Sequence, residues 1–375
     1  MDQENNKKSV HAQATDGEYP AKTFSAEELT AFGVALLTSV GTSAEEAQAV
    51  IDELVAADAA GHPSHGIMRL IQYVNFIEID LIKPSARLKV VSEAPGVDVF
   101  DGQFGLGQFL MREFLDIAYR KAREHGSYTA FARHFNHIGR LGSYAEDAAR
   151  NGFLVMMMVN VNGASRVAPY GAAEPRLGTN PICIAMPNGD DWPVMVDTAT
   201  CVTAEGKVRI AMQNGMPLPD GQIIDKDGNA TNDPTDFYTE PSGAILPMGG
   251  PVGYKGSGLA VMVEMMCGIL SGAGFGRHDV AVGTNAVWLN LVDLGQVIDT
   301  EHYAAETKRF VEYIKHSQPL PDVDEVMLPG EVERRRTESA KLNGIQVLGG
   351  TWHQLSTLAA ERGVETPDGI TGAPE

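Results

Sequence analysis

In "GHPSHGIMRLIQYV", Gly61 to Val74, two histidines stand three residues apart, Ser64 adjoins the second, and Arg69 follows four residues after it. Imidazole titrates near neutrality and suits proton transfer. The planar fork of an arginine matches a carboxylate. One short stretch thus offers His65 as an acid–base group and Arg69 as an anchor for an anionic substrate. A second pair, His134 and His137, lies in "ARHFNHIGRLGSYA" between a predicted strand and a predicted helix, where loops often carry reacting groups. Asp197 ends the predicted strand "PVMVDTAT". A Ser64–His65–Asp197 chain would hold His65 in one tautomer and stabilise its charged form. Because the serine neighbours the histidine in sequence, this reads as a hydrogen-bond relay and not as a serine nucleophile.

Plainer roles stay open at this stage. A histidine near a helix C-terminus can simply cap carbonyls, Asp197 can cap a turn, and His62 and His134 suit structural or solvated positions. The two HxxH pairs also suit a metal-dependent hydrolase. Against that, Pro63 breaks the helical register, and no HExxH or acid cluster completes a site. No metal is expected. For anions, "GGPVGYKGSGLAV" offers glycines and Lys255 running into a helix start. It is not a P-loop, since Tyr254 precedes the lysine and Gly256 follows it. "EGKVR" around Lys207 is a weaker version.

These residues need elements to position them. Ser25 with Glu28, and Ser43 with Glu46, each form a capping-box pattern at a helix start. Gly61 is placed to end the second helix, Pro63 resists its continuation, and a new helical pattern starts at "HGIMRLIQYVNFI". "GVDVFDGQFGLGQFLMREFLDIAYRKAREHGSYTAFAR" reads as strand, glycine turn, helix, strand. Gly105 and Gly107 occupy the turn, but Leu110 stands where a third glycine belongs, and the second strand ends in Arg133 and not in an acid. It is either a Rossmann unit with a defective fingerprint or an ordinary βαβ packing unit. "GFLVMMMVNV", "NPICIAMP" and "WPVMVDTAT" read as strands, "LPDGQIIDKDGNATNDPTD" as a polar loop, "GSGLAVMVEMMCGILSG" as a buried helix, and "EHYAAETKRFVEYIKHS" as an amphipathic one. The expected organisation is a disordered tail at 1–21, a mainly helical domain from 22–95 and 300–375, and an α/β cofactor-binding domain at 96–299.

Bulk properties narrow the partners. The formal charge is −20 over 375 residues, which disfavours nucleic acid and anionic membrane. An anionic substrate then needs local cations such as Arg69. Three cysteines without a CxxC pair argue against a disulfide framework. The polar start is no signal peptide, and the apolar run "GLAVMVEMMCGIL" is broken by Glu264 and Gly268 and too short to span a bilayer. A cytoplasmic location is expected.

Together, "SHGIMRLIQYV", "NHIGRLGSYA", "VAPYGAAEPRLGTNPICIAMP", "VDTATCVTAEGKVR", "LPDGQIIDKDGNATNDP", "LPMGGPVGYKGSGLAVMVE" and "LPGEVE" resemble, in order, the malate/L-lactate dehydrogenase family. That family is unrelated in fold to the Rossmann enzymes of the same names. It includes ureidoglycolate dehydrogenase, sulfolactate dehydrogenase, diketogulonate reductase and piperideine/pyrroline-2-carboxylate reductases. The resemblance implies a non-Rossmann α/β oxidoreductase fold and a homodimer using NAD or NADP. Its substrates would be small 2-oxo or 2-hydroxy acids, or alternatively cyclic imino acids. It implies His65 as proton donor or acceptor, relayed by Ser64 and Asp197, with His137 as the base in some members. Arg69 would hold the substrate carboxylate beside Thr179. Cofactor contacts would come from Asn162, from Asp197, Thr198 and Ala199, from Lys255, and from Pro329, Gly330 and Glu331. The pyrophosphate is therefore expected near Lys255 and not on the Gly105 turn. Cys201, Gln222 and Ser257 depart from the frequent residues at their positions, and Asn162–Ala164 match only loosely. A catalytically silent binding protein is the other rival; the joint presence of Ser64, His65, Arg69 and Asp197 argues against it.

Overall fold

The computed structural model describes residues 19–163, 165–189, 192–213, 215–276 and 283–370. Most of the expected tail lies outside them, but Tyr19 already stacks on His353 at 4.0 Å. The chain enters through β1 (Lys22–Phe24), then α1 (Ala26–Thr38), α2 (Ala44–Ala59) and α3 (Arg69–Glu78). Both expected capping boxes form. Ser25 Oγ accepts from the Glu28 N–H at 3.1 Å while Glu28 accepts from the Ser25 N–H at 2.8 Å, and Ser43 and Glu46 repeat the exchange. Gly61, at φ +82°, ends α2 as its position suggested.

The α/β part begins with β2 (Lys89–Ala94), which lies inside the segment assigned to the helical domain. It pairs with β3 (Val97–Asp101), so the sheet starts several residues before the expected boundary. Next come α4 (Gly107–His125), β4 (Ser127–Phe135), α5 (Leu141–Arg150), β5 (Phe153–Val161), β6 (Ile182–Met186) and β7 (Val194–Thr198). A small lobe follows: α6 (Glu205–Gln213), β8 (Ile223–Ile224), β9 (Ala230–Thr231), α7 (Thr235–Tyr238) and β10 (Ala244–Ile245). The stretch read as a polar loop thus contains the β8–β9 hairpin of a three-stranded sheet, ordered β10-β8-β9. Val208, Ile223, Phe237 and Ile245 give the lobe its own apolar centre.

α8 (Tyr254–Val263) leads into a π-helical turn, Glu264–Ile269, and then β11 (Asn285–Asp293). β11 pairs antiparallel with both β4 and β5 at the middle of a seven-stranded sheet ordered β2-β3-β4-β11-β5-β6-β7. Of its pairings, β3–β4 alone is parallel. α4 and α5 pack on one face; Val263 and Cys267 reach Ala286, Met158 and Trp288 on the other. The α8 segment is not the fully buried helix its composition suggested. Its outer face leaves Leu259, Met262, Met265, Ile269 and Leu270 exposed.

α9 (Thr300–Lys315) docks on the α/β part, where the Tyr303 hydroxyl donates to the Pro187 carbonyl at 2.6 Å. α10 (Glu331–Asn343), β12 (Ile345–Val347) and α11 (Gly349–Glu361) return to the N-terminal helices, and β12 pairs with β1. Trp352 and Leu355 of α11 and Leu54 of α2 join Phe100 and Leu289 of the sheet in one apolar cluster. Helical and sheet parts therefore share a core.

Candidate active site

Between α2 and α3 the chain makes one 3-10 turn, Pro63–His65. Asp58, at the end of α2, holds the far side of this turn: its Oδ2 accepts the Ile67 N–H at 2.7 Å. A methyl group at Gly66 would overlap the Asp58 carboxylate, so only glycine fits there. Burial pushes the Asp58 carboxyl up to about 7. Arg69, in the first turn of α3, donates from Nε to the Ser64 carbonyl at 2.6 Å and from Nη1 to Gln72 Oε1 at 2.9 Å. Ser64 Oγ lies 3.0 Å from His65 Nδ1.

His137 comes from the loop after β4. Asn136 anchors that loop by donating to the Phe104 carbonyl at 2.6 Å, and the Ile138 N–H donates to Asn285 Oδ1 at 3.0 Å. The rings of His65 and His137 stack, with centroids 5.5 Å apart and planes 23° apart. The Tyr73 hydroxyl meets His137 Nδ1 at 2.6 Å and receives the Gln108 amide at 2.7 Å. Burial, followed by the field of the Arg69 guanidinium, depresses both imidazoles, His65 to about 3 and His137 well below its ordinary range. Both rings are therefore neutral near pH 7.

Gly107 is part of this geometry. It begins α4 directly beneath the Asn136 and His137 carbonyls, which a methyl group at Gly107 would overlap. Backbone on both sides cannot yield as a side chain can. Gly107→Ala is expected to cost about 1–3 kcal/mol through overpacking and to displace His137. The midpoint of thermal unfolding and the turnover number should fall together; an unchanged pair of values would remove Gly107 from this role.

The two HxxH pairs diverge. His62 Nε2 faces Glu333 at 3.3 Å, and His134 Nδ1 meets Asp101 Oδ2 at 3.0 Å while its ring stacks on Phe104. No group of three or more His, Cys, Asp or Glu side chains is arranged to hold a metal among the described residues. Asp197 is also placed differently from the relay reading. It accepts the Gly142 N–H at 2.8 Å at the start of α5 and lies 3.7 Å from Arg140 Nε. Burial raises its carboxyl, against the pull of Arg140. It hydrogen-bonds neither Ser64 nor His65 among the described contacts. Ser64 and His65 are within hydrogen-bond distance of each other, while Asp197 stands beside His62 and Arg140, where a helix N-terminus favours a carboxylate.

Thr179 is held by its backbone. Its carbonyl accepts from Thr200 N–H and Oγ1 at 3.0 and 3.1 Å. The next residue, Asn180, donates to Glu264 at 2.9 Å, and Glu264 also receives Asn160 and the Gly276 N–H. Asn162 has its amide engaged on both sides, with Thr284 and with the Ala273 carbonyl. Asp197, Thr198 and Ala199 lie at the end of β7, the sheet edge. Pro329 docks on the same strand through its carbonyl, which accepts the Met195 N–H, while Glu331 pairs with Lys315. Just past β7, Thr200 accepts from Met248 N–H, ahead of α8. Lys255, in the first turn of α8, is exposed and unpaired among the described residues. A free ammonium on a helix N-terminus with glycines before and after it is a donor set that fits a diphosphate.

Several residues here escaped the sequence reading. Tyr73 stands one helical turn past Arg69, a spacing that signals a shared face. Gln108, Asn285 and Arg140 carried no such sign. The small lobe also contributes: Gly206 packs on Ser64, and the Glu205–Arg209 pair sits in the field of Arg69.

A mixed sheet with one parallel pair differs from the parallel, doubly wound sheet of a Rossmann unit. The class is an α/β protein with a mixed central sheet, whose site pairs two neutral imidazoles with a guanidinium. A family model described as malate/L-lactate dehydrogenase matches residues 24–356, and the chain belongs to that family. It is an oxidoreductase of a nicotinamide-dependent group of hydroxy-acid dehydrogenases. It is 36% identical to an L-lactate dehydrogenase of Cupriavidus necator, over 88% of this chain and 95% of that one. The solved malate dehydrogenase of Pyrococcus horikoshii is similar with a TM-score of 0.83 and 30% identity, covering 95% of this chain and 99% of that one. The delta1-piperideine-2-carboxylate reductase of Pseudomonas syringae pvar. tomato has a TM-score of 0.78 and 28% identity, covering 90% and 100%.

Proposed function

We propose that this protein interconverts small 2-hydroxy acids and 2-oxo acids with NAD or NADP. The observation that carries this reading is the meeting of His65 and His137 beside Arg69. Arg69 holds the substrate carboxylate with the N–H groups that Ser64 and Gln72 leave free. In the oxidative direction a neutral imidazole takes the hydroxyl proton, and a bound nicotinamide supplies the hydride acceptor. In reduction the same imidazole returns the proton to the substrate oxygen. Thr179 borders the substrate, and Ser64 steadies His65.

The residues ringing the end of β7 would hold the cofactor: Asp197, Thr198, Ala199 and the Pro329–Glu331 turn, with the Asn162 backbone and Lys255. Lys255→Ala should weaken NADH or NADPH binding by the value of a charge-assisted contact, about 1.5–3 kcal/mol. Fluorescence titration of both cofactors checks this, and unchanged affinity would move the diphosphate away from α8.

A second reading, NADPH-dependent reduction of cyclic imino acids, draws support from the similarity to the Pseudomonas reductase. It needs the same carboxylate clamp and proton donor. Turnover assays with lactate, malate, sulfolactate, ureidoglycolate, their 2-oxo partners and cyclic imino acids, each with NAD(H) and NADP(H), separate the two. Activity on none of them would refute both. The exposed apolar row from Leu259 to Leu270 suits a second copy of the chain, and sedimentation as a monomer would refute a homodimer. No described helix is long and apolar enough to cross a membrane. Three free, buried thiols suit the reducing cytoplasm.

A further inference from the structure

Gln108, Tyr73 and His137 form a chain of hydrogen bonds that runs from the core to the site. Gln108 Nε2 lies 2.7 Å from the Tyr73 hydroxyl, which lies 2.6 Å from His137 Nδ1. Tyr73 and Gln108 are each 1% exposed, so bulk water does not compete. An amide nitrogen only donates. The phenol oxygen accepts from Gln108, and its single proton points at His137 Nδ1. A ring nitrogen that accepts carries no proton, which puts the proton of neutral His137 on Nε2. The Gln108 oxygen is buried without a partner. As placed, the amide leaves this oxygen and one N–H unpaired; turned over, it would leave both N–H groups unpaired, and an orphaned buried N–H is the rarer of the two.

We propose that Tyr73, directed by Gln108, is a positioning residue that locks His137 as its Nε2–H tautomer, so that His137 donates a hydrogen bond to the substrate oxygen while His65 exchanges the proton. The assignment rests on the functional reading above. No described residue hydrogen-bonds His137 Nε2, and the ring is partly exposed in the site. To gain a second proton, His137 would have to force the Tyr73 proton away from its only acceptor in a buried chain. His65 is under no such constraint. Its Nδ1 faces the Ser64 hydroxyl, which donates or accepts with equal ease. His65 can therefore alternate between protonation states, and His137 cannot. Division of labour between the two imidazoles follows from the chemistry of their partners.

The test reads the tautomer directly. In protein labelled with 15N-histidine, with His137 assigned by comparison with His137→Asn, Nδ1 should show the shift of an unprotonated ring nitrogen and Nε2 that of a protonated one. Gln108→Glu keeps the shape and reverses the polarity, because a carboxylate only accepts. Tyr73 then donates to residue 108 and accepts from His137 Nδ1–H. The two 15N shifts should exchange, and kcat should fall about 10–100-fold, the loss expected for one hydrogen bond to developing charge, with KM nearly unchanged. Tyr73→Phe should lower kcat in the same range without exchanging the shifts. A protonated Nδ1 in the wild-type protein overturns the proposal, and so does Gln108→Glu with unchanged shifts and kcat. The wild-type spectrum decides even where a variant does not fold. If no acid or imine is turned over, the functional reading fails while the spectrum still answers the tautomer question.

Discussion

His65→Asn lowers the rate of the chemical step by about two to four orders of magnitude, the contribution of a positioned acid–base group, and leaves NADH and NADPH affinity nearly unchanged. Asparagine is close in size and keeps a partner for the Ser64 hydroxyl, so the turn from Pro63 to His65 should survive. What disappears is a group able to carry a proton. Single-turnover absorbance of the nicotinamide isolates this step from product release. Near wild-type turnover would transfer the role to His137, which stacks on the same ring. The pH profile is a second reading of the same residue. Burial and the neighbouring Arg69 hold His65 at about 3 in the free protein. A base with a depressed pKa stays unprotonated as pH falls, so kcat/KM for oxidation should show no limb from this group between pH 8 and 5. An ordinary imidazole would begin to lose activity near its unperturbed value of about 6.5. A tenfold loss per pH unit below 6.5 would count against His65 as the free-enzyme base.

Arg69→Lys raises KM for the best substrate about 10–100-fold, corresponding to a lost charge-assisted contact of about 1.5–3 kcal/mol, while cofactor titrations stay as in the wild type. Lysine keeps the charge but not the fork. The structure gives the substitution a second consequence. Arg69 Nε supports the Ser64 carbonyl at 2.6 Å, and an ammonium on a flexible stem cannot reproduce that bond and face the substrate at once. A smaller fall in kcat should accompany the change in KM, because the turn carrying His65 loses a fixed point. An unchanged KM would sink the clamp. Loss of cofactor binding would show that the substitution reaches beyond the substrate pocket.

Local signals were readable from sequence because each is complete within a turn or two of chain. Ser25 with Glu28 and Ser43 with Glu46 mark helix starts by satisfying two exposed N–H groups reciprocally. Gly61 and Pro63 mark where α2 must stop, and the same short stretch sets His65 and Arg69 a few residues apart. The missing third glycine after Gly107 already separated the βαβ unit from a Rossmann fingerprint, and the mixed sheet agrees. β11 was not read as a strand, although it is the middle of the sheet. Its pairing partners, β4 and β5, precede it by more than a hundred residues, and nothing local announces them. The outer face of α8 was misjudged for a related reason: a largely apolar helix reads as buried, and composition does not say that only one side meets the sheet.

By itself, then, the chain determined the locally marked helix starts and stops, several of the strands, and the types of side chain available for proton transfer and carboxylate binding. Tertiary structure alone decided which of those side chains meet. It brought His137 over His65 because α4 passes under the His137 loop at a position where only glycine leaves room. It turned Asp197 toward Gly142 and Arg140 and away from the Ser64–His65 pair, since there the carboxylate gains a backbone N–H and a neighbouring positive charge. It also set the direction of the hydrogen bonds reaching His137. That direction belongs to Gln108, Tyr73 and His137 jointly, and it is fixed only once the fold has turned the amide nitrogen of Gln108, which only donates, toward the phenol.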